Sequence, residues 1–209
     1  MPALKRNGRV GRPPGVDGDE TRLRILDAAR SCFAAHGYAA TTNRMIADRA
    51  ELTAAAVYHH FGKKPDLMIA VHRATEELYR TRILTAVEAA DDFVDKLVAL
   101  VDVIHDTISN DPEQALFYSV ARDEARRHPE LKEIEEDRTF PQLFAEIVDM
   151  GVQAGVLGSD DVLLARGAVA TVATGLAMLA RDTTVEAHAI ASEGAKRLLL
   201  GSLLRTPVP

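Results

Sequence analysis

Residues 41–67, TTNRMIADRAELTAAAVYHHFGKKPDL, decide the fold of this chain. Thr42 and Thr53 each precede a short stretch with apolar residues at helical spacing, and each hydroxyl can cap a helix by accepting a backbone N–H of its first turn. Gly62 ends the second stretch, and Pro65 suits the first turn of a longer helix. Helices this short are unstable alone. The stretch therefore predicts two short helices held in place by a third.

Residues 19–36 supply that third helix. Apolar side chains recur there on one helical face: Ile25, Leu26, Ala29, Cys32 and Phe33. Gly37 follows as the residue that ends the helix, with Tyr38 packing behind it. Two short helices clamped by a third form the helix-turn-helix arrangement, in which the second short helix enters the major groove of DNA.

The remainder of the chain is helical by its apolar period and shows no convincing strand. Helices are expected at 65–88, 92–109, 112–128, 131–154, 160–181 and 185–204, and Pro141 should kink or divide its helix near Thr139. The predicted fold class is all-α, with an N-terminal three-helix DNA-binding domain and a larger C-terminal helical domain for an effector and for dimerisation. The predicted boundaries are a disordered basic arm over 1–18, the helix-turn-helix domain over 19–65 and the helical domain over 66–205.

The charge of the chain is divided unevenly along its length. Residues 1–80 carry 13 Lys and Arg against 9 Asp and Glu, a net charge of +4, whereas residues 81–209 carry 12 against 22, a net of −10. A basic end on an acidic body is typical of a protein that touches a polyanion at one end only.

Composition excludes several classes of protein. The single cysteine, Cys32, cannot form an internal disulfide, so we expect a reducing cytoplasm, and its apolar surroundings favour a small buried residue over a redox sensor. No stretch approaches the roughly 20 apolar residues of a membrane span, and no apolar segment follows the basic N-terminus as in a secretory signal. No nucleotide-binding, hydrolase or clustered Cys/His pattern occurs, so neither an enzyme nor a cofactor nor a metal is expected.

The candidate DNA contacts lie on and around the second short helix. Thr53, Ala54 and Ala55 are small enough to approach base edges, and alanine methyls can contact thymine methyls. The flanking polar candidates for bases or phosphates are Asn43, Arg44, Tyr58, His59, His60, Lys63 and Lys64. Adjacent helical residues diverge by about 100°, so the two histidines are not expected to share a metal.

A resemblance is carried by about 20 residues between Thr21 and Leu67. The pattern T-x-x-x-I-L-x-A-A-x-x-x-F-x-x-x-G-Y-x-x-T-T-x-x-x-I-A-x-x-A, continued by T-x-x-x-V-Y-H-H-F-x-x-K-x-x-L, resembles the TetR family of regulators. The resemblance implies that Thr42 and Arg44 anchor the first helix on DNA. It implies that Thr53, Ala54, Ala55 and Tyr58 read bases, and that His59 or His60, with Lys64, contacts phosphates.

Three positions leave alternatives open. Thr42 and Thr53 are either simple caps or direct DNA contacts, and Tyr58 is either exposed or partly in the core. Glu51 stands in the turn where the family often places Gly. A left-handed backbone there costs a non-glycine residue about 1 kcal/mol, so the turn either bears that strain or adopts another conformation.

The N-terminal arm carries its own hypothesis. The segment RVGRPPG, with Arg9 and Arg12, resembles an AT-hook that enters a narrow A·T minor groove. The alternative is a disordered tail that adds affinity through charge alone.

The resemblance assigns a ligand pocket and a dimer interface to the C-terminal helices. Small residues give the last two helices surfaces that can approach another helix closely, either across a dimer or within one chain. The candidate interface residues are Gly167, Val169, Thr171, Thr174, Met178, Ala191, Gly194 and Leu198. The candidate effector contacts are His105, Phe117, Tyr118, Arg122 and Phe144, with a core histidine and core phenylalanines as the alternative.

Together these patterns predict a ligand-responsive repressor that a small, largely apolar effector releases from a palindromic operator, with the helix over 65–88 as the lever. The alternative is a helical protein-interaction module that no longer reads DNA. Loss of affinity that is steep and linear in the logarithm of salt concentration, with a preferred sequence retained, distinguishes the first from the second.

Overall fold

The computed structural model describes residues 16–203, which fold into ten α-helices with no β-strand among them. The helices are α1 (Val16–Ala40), α2 (Asn43–Arg49), α3 (Ala54–Phe61), α4 (Lys64–Ala89), α5 (Phe93–Asn110), α6 (Pro112–Ala125), α7 (Lys132–Glu135), α8 (Thr139–Gln153), α9 (Val162–Leu179) and α10 (Val185–Leu199). Short 3-10 turns at Pro129–Leu131 and Ser159–Asp161 precede α7 and α9. The all-α prediction is confirmed.

The first helix begins at Val16, earlier than the predicted start at Asp19, so the last residues assigned to the arm are helical. Its regular part ends where predicted, because Gly37 has a φ of 75° that a β-carbon would strain. Tyr38 folds back behind it, with its ring centroid 6.2 Å from that of Phe33. Arg9 and Arg12 lie outside the described residues.

One apolar core unites the first three helices with parts of three later helices and of one 3-10 turn. Ile25, Phe33, Ile46 and Val57 are fully buried in it. The same core continues beyond residue 65 and also takes in buried side chains of α4, α6 and α7 and of the 3-10 turn before α7: Leu67, Met68, Val71, Phe117, Ala121, Ala125, Leu131 and Ile134. The domain boundary at residue 65 stays a prediction, because the chain packs continuously across it.

A second core holds the remaining helices together. Its fully buried residues include Val87 of α4 and Leu143 and Ile147 of α8, with α5 and α9 packed around them. The long helix α4 contributes Leu67 to the first core and Ile83 to the second. A rigid helix that belongs to both cores is suited to carry motion from one to the other.

The predicted interruption near Thr139 is confirmed. Residues 136–138 separate α7 from α8, and the Asp137 carboxylate accepts the Thr139 backbone N–H at 2.7 Å. Pro141 lies in the first turn of α8, where its missing N–H leaves no intrahelical bond unmade. The predicted single helix is therefore two.

The expectation that no segment reaches membrane-spanning length was wrong. By length and composition alone, the segment Ser159–Leu179 could cross a bilayer, and only 17% of its most apolar window is buried in the described chain. Alanine, glycine and threonine stand between its leucines and valines, so the apolar character is spread along the segment rather than gathered in one run. The mean hydropathy of its most apolar window nevertheless reaches that of a membrane span. In the structure this segment forms α9 and the 3-10 turn before it. The helix lies at the surface and leaves a large apolar face exposed.

Candidate nucleic-acid interface

The threonines at the starts of α2 and α3 are helix caps. Thr42 Oγ1 accepts the Met45 backbone N–H at 3.2 Å, and Thr53 Oγ1 accepts that of Ala56 at 3.1 Å. Both side chains are nevertheless exposed. A hydroxyl that accepts through its oxygen keeps its own hydrogen to donate, so a capping threonine can still donate to a DNA phosphate. Capping and DNA contact are therefore compatible roles.

The outer face of α3 is small and open. Ala54 and Ala55 are exposed, and Tyr58 beside them is 59% exposed, so it is not a core residue. The opposite face is anchored, because Val57 and Phe61 are buried against the first core. A helix held by one side with a nearly flat outer side can approach base edges closely.

The polar residues around this face differ in exposure. Arg44 is highly exposed, and its guanidinium lies 3.9 Å from Asp48, a solvent-screened pair that leaves its charge available to DNA. His59 and Lys63 are exposed, whereas His60 is half-buried with its ring 6.5 Å from that of Phe61. Asn43 is half-buried as well, and its Oδ1 has no hydrogen-bond partner among the described residues.

The structure corrects the role predicted for Lys64. Its ammonium donates to the backbone carbonyls of Tyr38 at 2.7 Å, Ala39 at 3.2 Å and Thr41 at 3.0 Å, and it lies 4.4 Å from the Tyr38 ring centroid. All three donors of the ammonium are thus committed to the end of α1 and the residue that follows it. Lys64 supports the fold of the interface, and Lys63 is the exposed cation of the pair.

Replacing each lysine by glutamine should affect a different property: stability for Lys64 and DNA binding for Lys63. Lys64→Gln is expected to lower the free energy of unfolding by about 1–2 kcal/mol, because carbonyls at the end of α1 lose a charged donor. Lys63→Gln is expected to leave stability unchanged and to weaken DNA binding. The slope of log affinity against log salt concentration should fall by about one, which corresponds to one lost phosphate contact. Denaturant unfolding and DNA titrations at several salt concentrations measure both. Equal stability of the two variants would contradict the assignment.

Two arginines of α1 were missed by the sequence analysis. Arg22 lies over the Phe61 ring, 4.5 Å from its centroid, so its exposed side chain borders the end of α3. Arg24 donates to the Ala50 carbonyl at 2.5 Å and so holds the turn after α2. The sequence did contain a signal for Arg22. It precedes Ile25 by three residues and so lies one turn before the buried apolar face of α1.

The turn between α2 and α3 keeps the left-handed backbone that a glycine would adopt. Glu51 has a φ of 54° and is the one non-glycine with positive φ in residues 16–203. Glu51 therefore bears the strain of a left-handed backbone, and the turn does not adopt the other conformation that the sequence left open. The side chain is exposed beside the predicted DNA surface.

Glu51→Gly is expected to raise the free energy of unfolding by about 1 kcal/mol, because glycine adopts this backbone without strain. It should also strengthen DNA binding, since a negative charge near phosphates is removed. The control Glu51→Gln removes the charge and keeps the strain, so it should improve binding without the gain in stability. Thermal unfolding and DNA titration separate the two effects; an unchanged melting temperature in Glu51→Gly would refute the strain.

The predicted effector residues fall into three places. Phe117 is fully buried in the first core with its ring 6.5 Å from that of Phe33, so it lines no effector site and is withdrawn. Tyr118 instead faces an aromatic cluster with Tyr79 and Phe140, at ring distances of 6.3 and 5.2 Å. Burial raises the pKa of both tyrosines well above the usual range.

The other predicted contacts relate to this cluster unequally. Phe144 is buried with its ring 6.1 Å from that of Phe140, and Arg122 reaches the Ile134 carbonyl at 3.4 Å, both near the cluster. His105 lies elsewhere, between α5 and α10. Two open clefts on the described part of the chain, of about 320 and 530 Å³, are lined by none of the five predicted residues.

His105 forms a stacked pair with His188 of α10. The rings are 5.3 Å apart and nearly parallel, with 3.0 Å between their Nδ1 atoms. His188 Nε2 lies 3.0 Å from the Leu176 carbonyl and must donate to it, so its Nδ1 accepts and His105 Nδ1–H donates. This pair is the satisfied core histidine that the sequence analysis kept as an alternative.

Stability is expected to fall as the pH drops through about 6.5. Burial lowers the pKa of His188 below its ordinary 6.5, and the Leu176 hydrogen bond only partly offsets this. Between the lowered and the ordinary pKa the unfolded chain binds more protons than the folded one, so acid favours unfolding there. Full stability is present above the ordinary pKa. His188→Gln should flatten the profile between pH 7.5 and about 5.5, and the exposed His36→Gln should not; equal profiles would refute it.

The predicted dimer residues are mostly at the surface. Gly167, Thr171, Thr174, Met178 and Leu198 are exposed, and Ala191 and Gly194 are half-buried. Val169 is withdrawn, because it is buried in the second core and faces away from this surface. Five exposed apolar residues on the same two helices were not among the predicted ones: Leu163, Leu164, Leu179, Val185 and Ile190.

The N-terminal helices match a family of known proteins. The model of the bacterial regulatory proteins of the tetR family matches residues 25–71. The chain is 30% identical over 162 residues to the HTH-type transcriptional repressor Rv1474c of Mycobacterium tuberculosis, covering 74% of this chain and 83% of that protein. It is 28% identical over 144 residues to the repressor KstR2 of the same species, covering 66% of this chain and 70% of that protein.

One solved structure extends the likeness to the C-terminal helices. The transcriptional regulator FadR from Bacillus subtilis, in complex with stearoyl-CoA, matches with a TM-score of 0.68 at 21% identity, over 88% of this chain and 100% of that chain. At this identity the likeness shows the fold.

Two capped short helices, clamped by α1 and presenting a small exposed face, define a helix-turn-helix DNA-binding protein. The sequence and structural matches agree with that class. The chain belongs to the tetR family of bacterial regulatory proteins and is a transcriptional regulator.

Proposed function

We propose that this protein is a repressor that binds a palindromic operator as a homodimer and is released by a small, largely apolar effector. The observation that carries the proposal is the outer face of α3, where exposed alanines lie between exposed polar groups on a helix anchored from behind. Matched relatives named as repressors support the direction of regulation. They are transcriptional regulators rather than enzymes, which supports a non-catalytic role in the cytoplasm.

The DNA contacts that we propose form two groups. Thr53, Ala54, Ala55 and Tyr58 face the bases, and His59 and the half-buried His60 border them. Thr42, Asn43, Arg44 and Lys63 face phosphates or neighbouring bases, joined by Arg22. The AT-hook-like arm with Arg9 and Arg12 stays a prediction, which deletion of residues 1–15 would test.

The exposed face of α9 and α10 supports a homodimer. Leu164, Met178 and Ile190 are each more than half exposed, and the glycines and alanines between them allow close approach of another helix. A second copy is the occupant we propose, because one short reading helix contacts few bases. Two such helices about 34 Å apart read successive major grooves of a palindrome.

The aromatic cluster between α4, α6 and α8 supports an effector site in the C-terminal domain. Tyr79, Tyr118 and Phe140 offer apolar rings with polar hydroxyls, the mixture typical of small-molecule sites. FadR, a structural neighbour, is described in complex with stearoyl-CoA. An effector that reorients α4 there changes the separation of the two reading heads and lowers DNA affinity by the factor by which DNA lowers effector affinity.

The test begins by selecting DNA fragments with the full-length protein and sequencing them. We expect a palindrome whose half-sites are one helical turn apart. Titration of the recovered DNA should lose affinity linearly with the logarithm of salt concentration, while a scrambled sequence binds more weakly at every concentration. If no sequence is enriched, the protein does not read DNA, and the helical interaction module is the better description.

A further inference from the structure

We infer that His72, Glu76 and Asp137 form a binding site for one divalent transition-metal cation, with Zn²⁺ as the probe. The sequence predicts no metal, because its Cys and His residues do not cluster along the chain. The proposal goes beyond the regulator's DNA binding and does not depend on it.

The helix and the turn that carry these residues bring their ligand atoms together. His72 and Glu76 are four residues apart on α4 and share one face of the helix. Asp137 comes from the segment between α7 and α8, packed against that face. One imidazole nitrogen and one oxygen of each carboxylate lie within 4.8 Å of one another. Ligands of a tetrahedral zinc ion are about 3.4 Å apart, so small rotamer changes complete the geometry.

Polar atoms of the His72 and Glu76 side chains are buried without hydrogen-bond partners in residues 16–203, which indicates a ligand. His72 and Glu76 are nearly fully buried, with 1% and 3% of their surfaces exposed. His72 Nε2 and Glu76 Oε1 are 3.2 Å apart but are not aligned for a hydrogen bond, and neither they nor His72 Nδ1 has such a partner among the described residues. Unpaired polar groups are costly in a protein interior, and a coordinated cation satisfies the Glu76 oxygen and one of the two His72 nitrogens.

The surroundings favour one class of ion. A neutral imidazole with two carboxylates carries a charge of −2, which a divalent cation neutralises. Mg²⁺ and Ca²⁺ prefer oxygen ligands alone, whereas zinc and its neighbours accept imidazole nitrogen. Tyr118 stacks on the His72 ring at 5.8 Å and holds its orientation. Asp137 is half-buried and provides the way in from solvent, and its Oδ1 also accepts the Thr139 N–H.

The competing arrangement is a proton shared between the two carboxyl groups. Burial, with a hydrogen bond to the Asp137 carboxyl, raises the pKa of Glu76, whereas burial of Asp137 is outweighed by hydrogen bonds from Thr139 and Glu76, so its pKa falls. Such a pair needs no metal. Direct measurement of metal binding distinguishes the two arrangements.

The test uses full-length protein stripped with a chelator and titrated with Zn²⁺ against a chromogenic competitor. We expect one ion per chain, a rise of several degrees in the melting temperature, and Co²⁺ absorption bands of a low-coordinate site. Glu76→Gln and Asp137→Asn, which keep shape and remove charge, should weaken Zn²⁺ at least about tenfold. Millimolar Mg²⁺ should not compete.

Two control variants test whether Zn²⁺ binds to surface side chains instead of the buried site. Glu77→Gln changes the exposed neighbour of Glu76, and His36→Gln changes an exposed histidine of α1. Both should bind Zn²⁺ like the parent. No stoichiometric binding, or full affinity in Glu76→Gln and Asp137→Asn, would overturn the proposal, whether or not the protein binds DNA.

Discussion

Ala55→Glu is expected to weaken operator binding at least about 100-fold while leaving the protein folded. Ala55 is exposed in the first turn of α3, where an acidic side chain interacts favourably with the helix dipole. On DNA the same carboxylate would face base edges and phosphates, whose negative charge repels it. Like charges brought together in an interface cost several kcal/mol. A fluorescence titration of the selected operator measures the loss.

The matched control is Ala74→Glu. Ala74 is an exposed alanine on α4, away from α3, and its replacement adds the same charge to the protein. We expect operator affinity within about twofold of the parent, because exposed charges more than a Debye length apart are screened. Equal affinity of the Ala55 and Ala74 variants would remove α3 from the DNA interface.

Met178→Glu is expected to shift the protein from dimer to monomer and to reduce operator binding with it. Met178 is 64% exposed on the apolar face of α9. In the single chain the new carboxylate lies in water and costs little, but in a dimer it would be buried without a partner. We expect the dimer dissociation constant to rise at least about 100-fold, as for loss of a central interface residue. Light scattering over a concentration series measures it.

Leu78→Glu is the control for that variant. Leu78 is an exposed apolar residue in the middle of α4, outside the proposed face. Its replacement should leave both the oligomeric state and the melting temperature close to those of the parent. If Met178→Glu stays dimeric at nanomolar concentration, the apolar face of α9 is not the dimer interface.

The sequence predicted the parts of this structure that depend on neighbours a few residues apart. Thr42 and Thr53 cap their helices, Gly37 ends the regular part of α1, and residues 136–138 interrupt the helix near Thr139. Each of these depends on backbone groups within one helical turn, and so does the spacing that carries the family pattern. Family and fold class could therefore be derived from the chain alone, and so could the position and caps of α3, the predicted reading helix.

Tertiary structure decided which partner each helical face meets. Phe117 and Tyr118 are adjacent, yet the first packs against α1 and the second faces the aromatic cluster of α4 and α8. Lys64 is not free for the predicted phosphate contact because the carbonyls of Tyr38, Ala39 and Thr41 lie within its reach. Periodicity tells which side of a helix is apolar but does not tell which helix covers it.

The candidate metal ligands show the same limit most clearly. His72 and Glu76 share a face of α4 by spacing alone, but Asp137 reaches them only because α8 folds back against α4. The reading head was determined by the sequence because its contacts are local and repeat at helical intervals. The buried cluster, the role of Lys64 and the exposed face of α9 were decided by packing, because residues far apart in the chain meet only once the helices have chosen their neighbours.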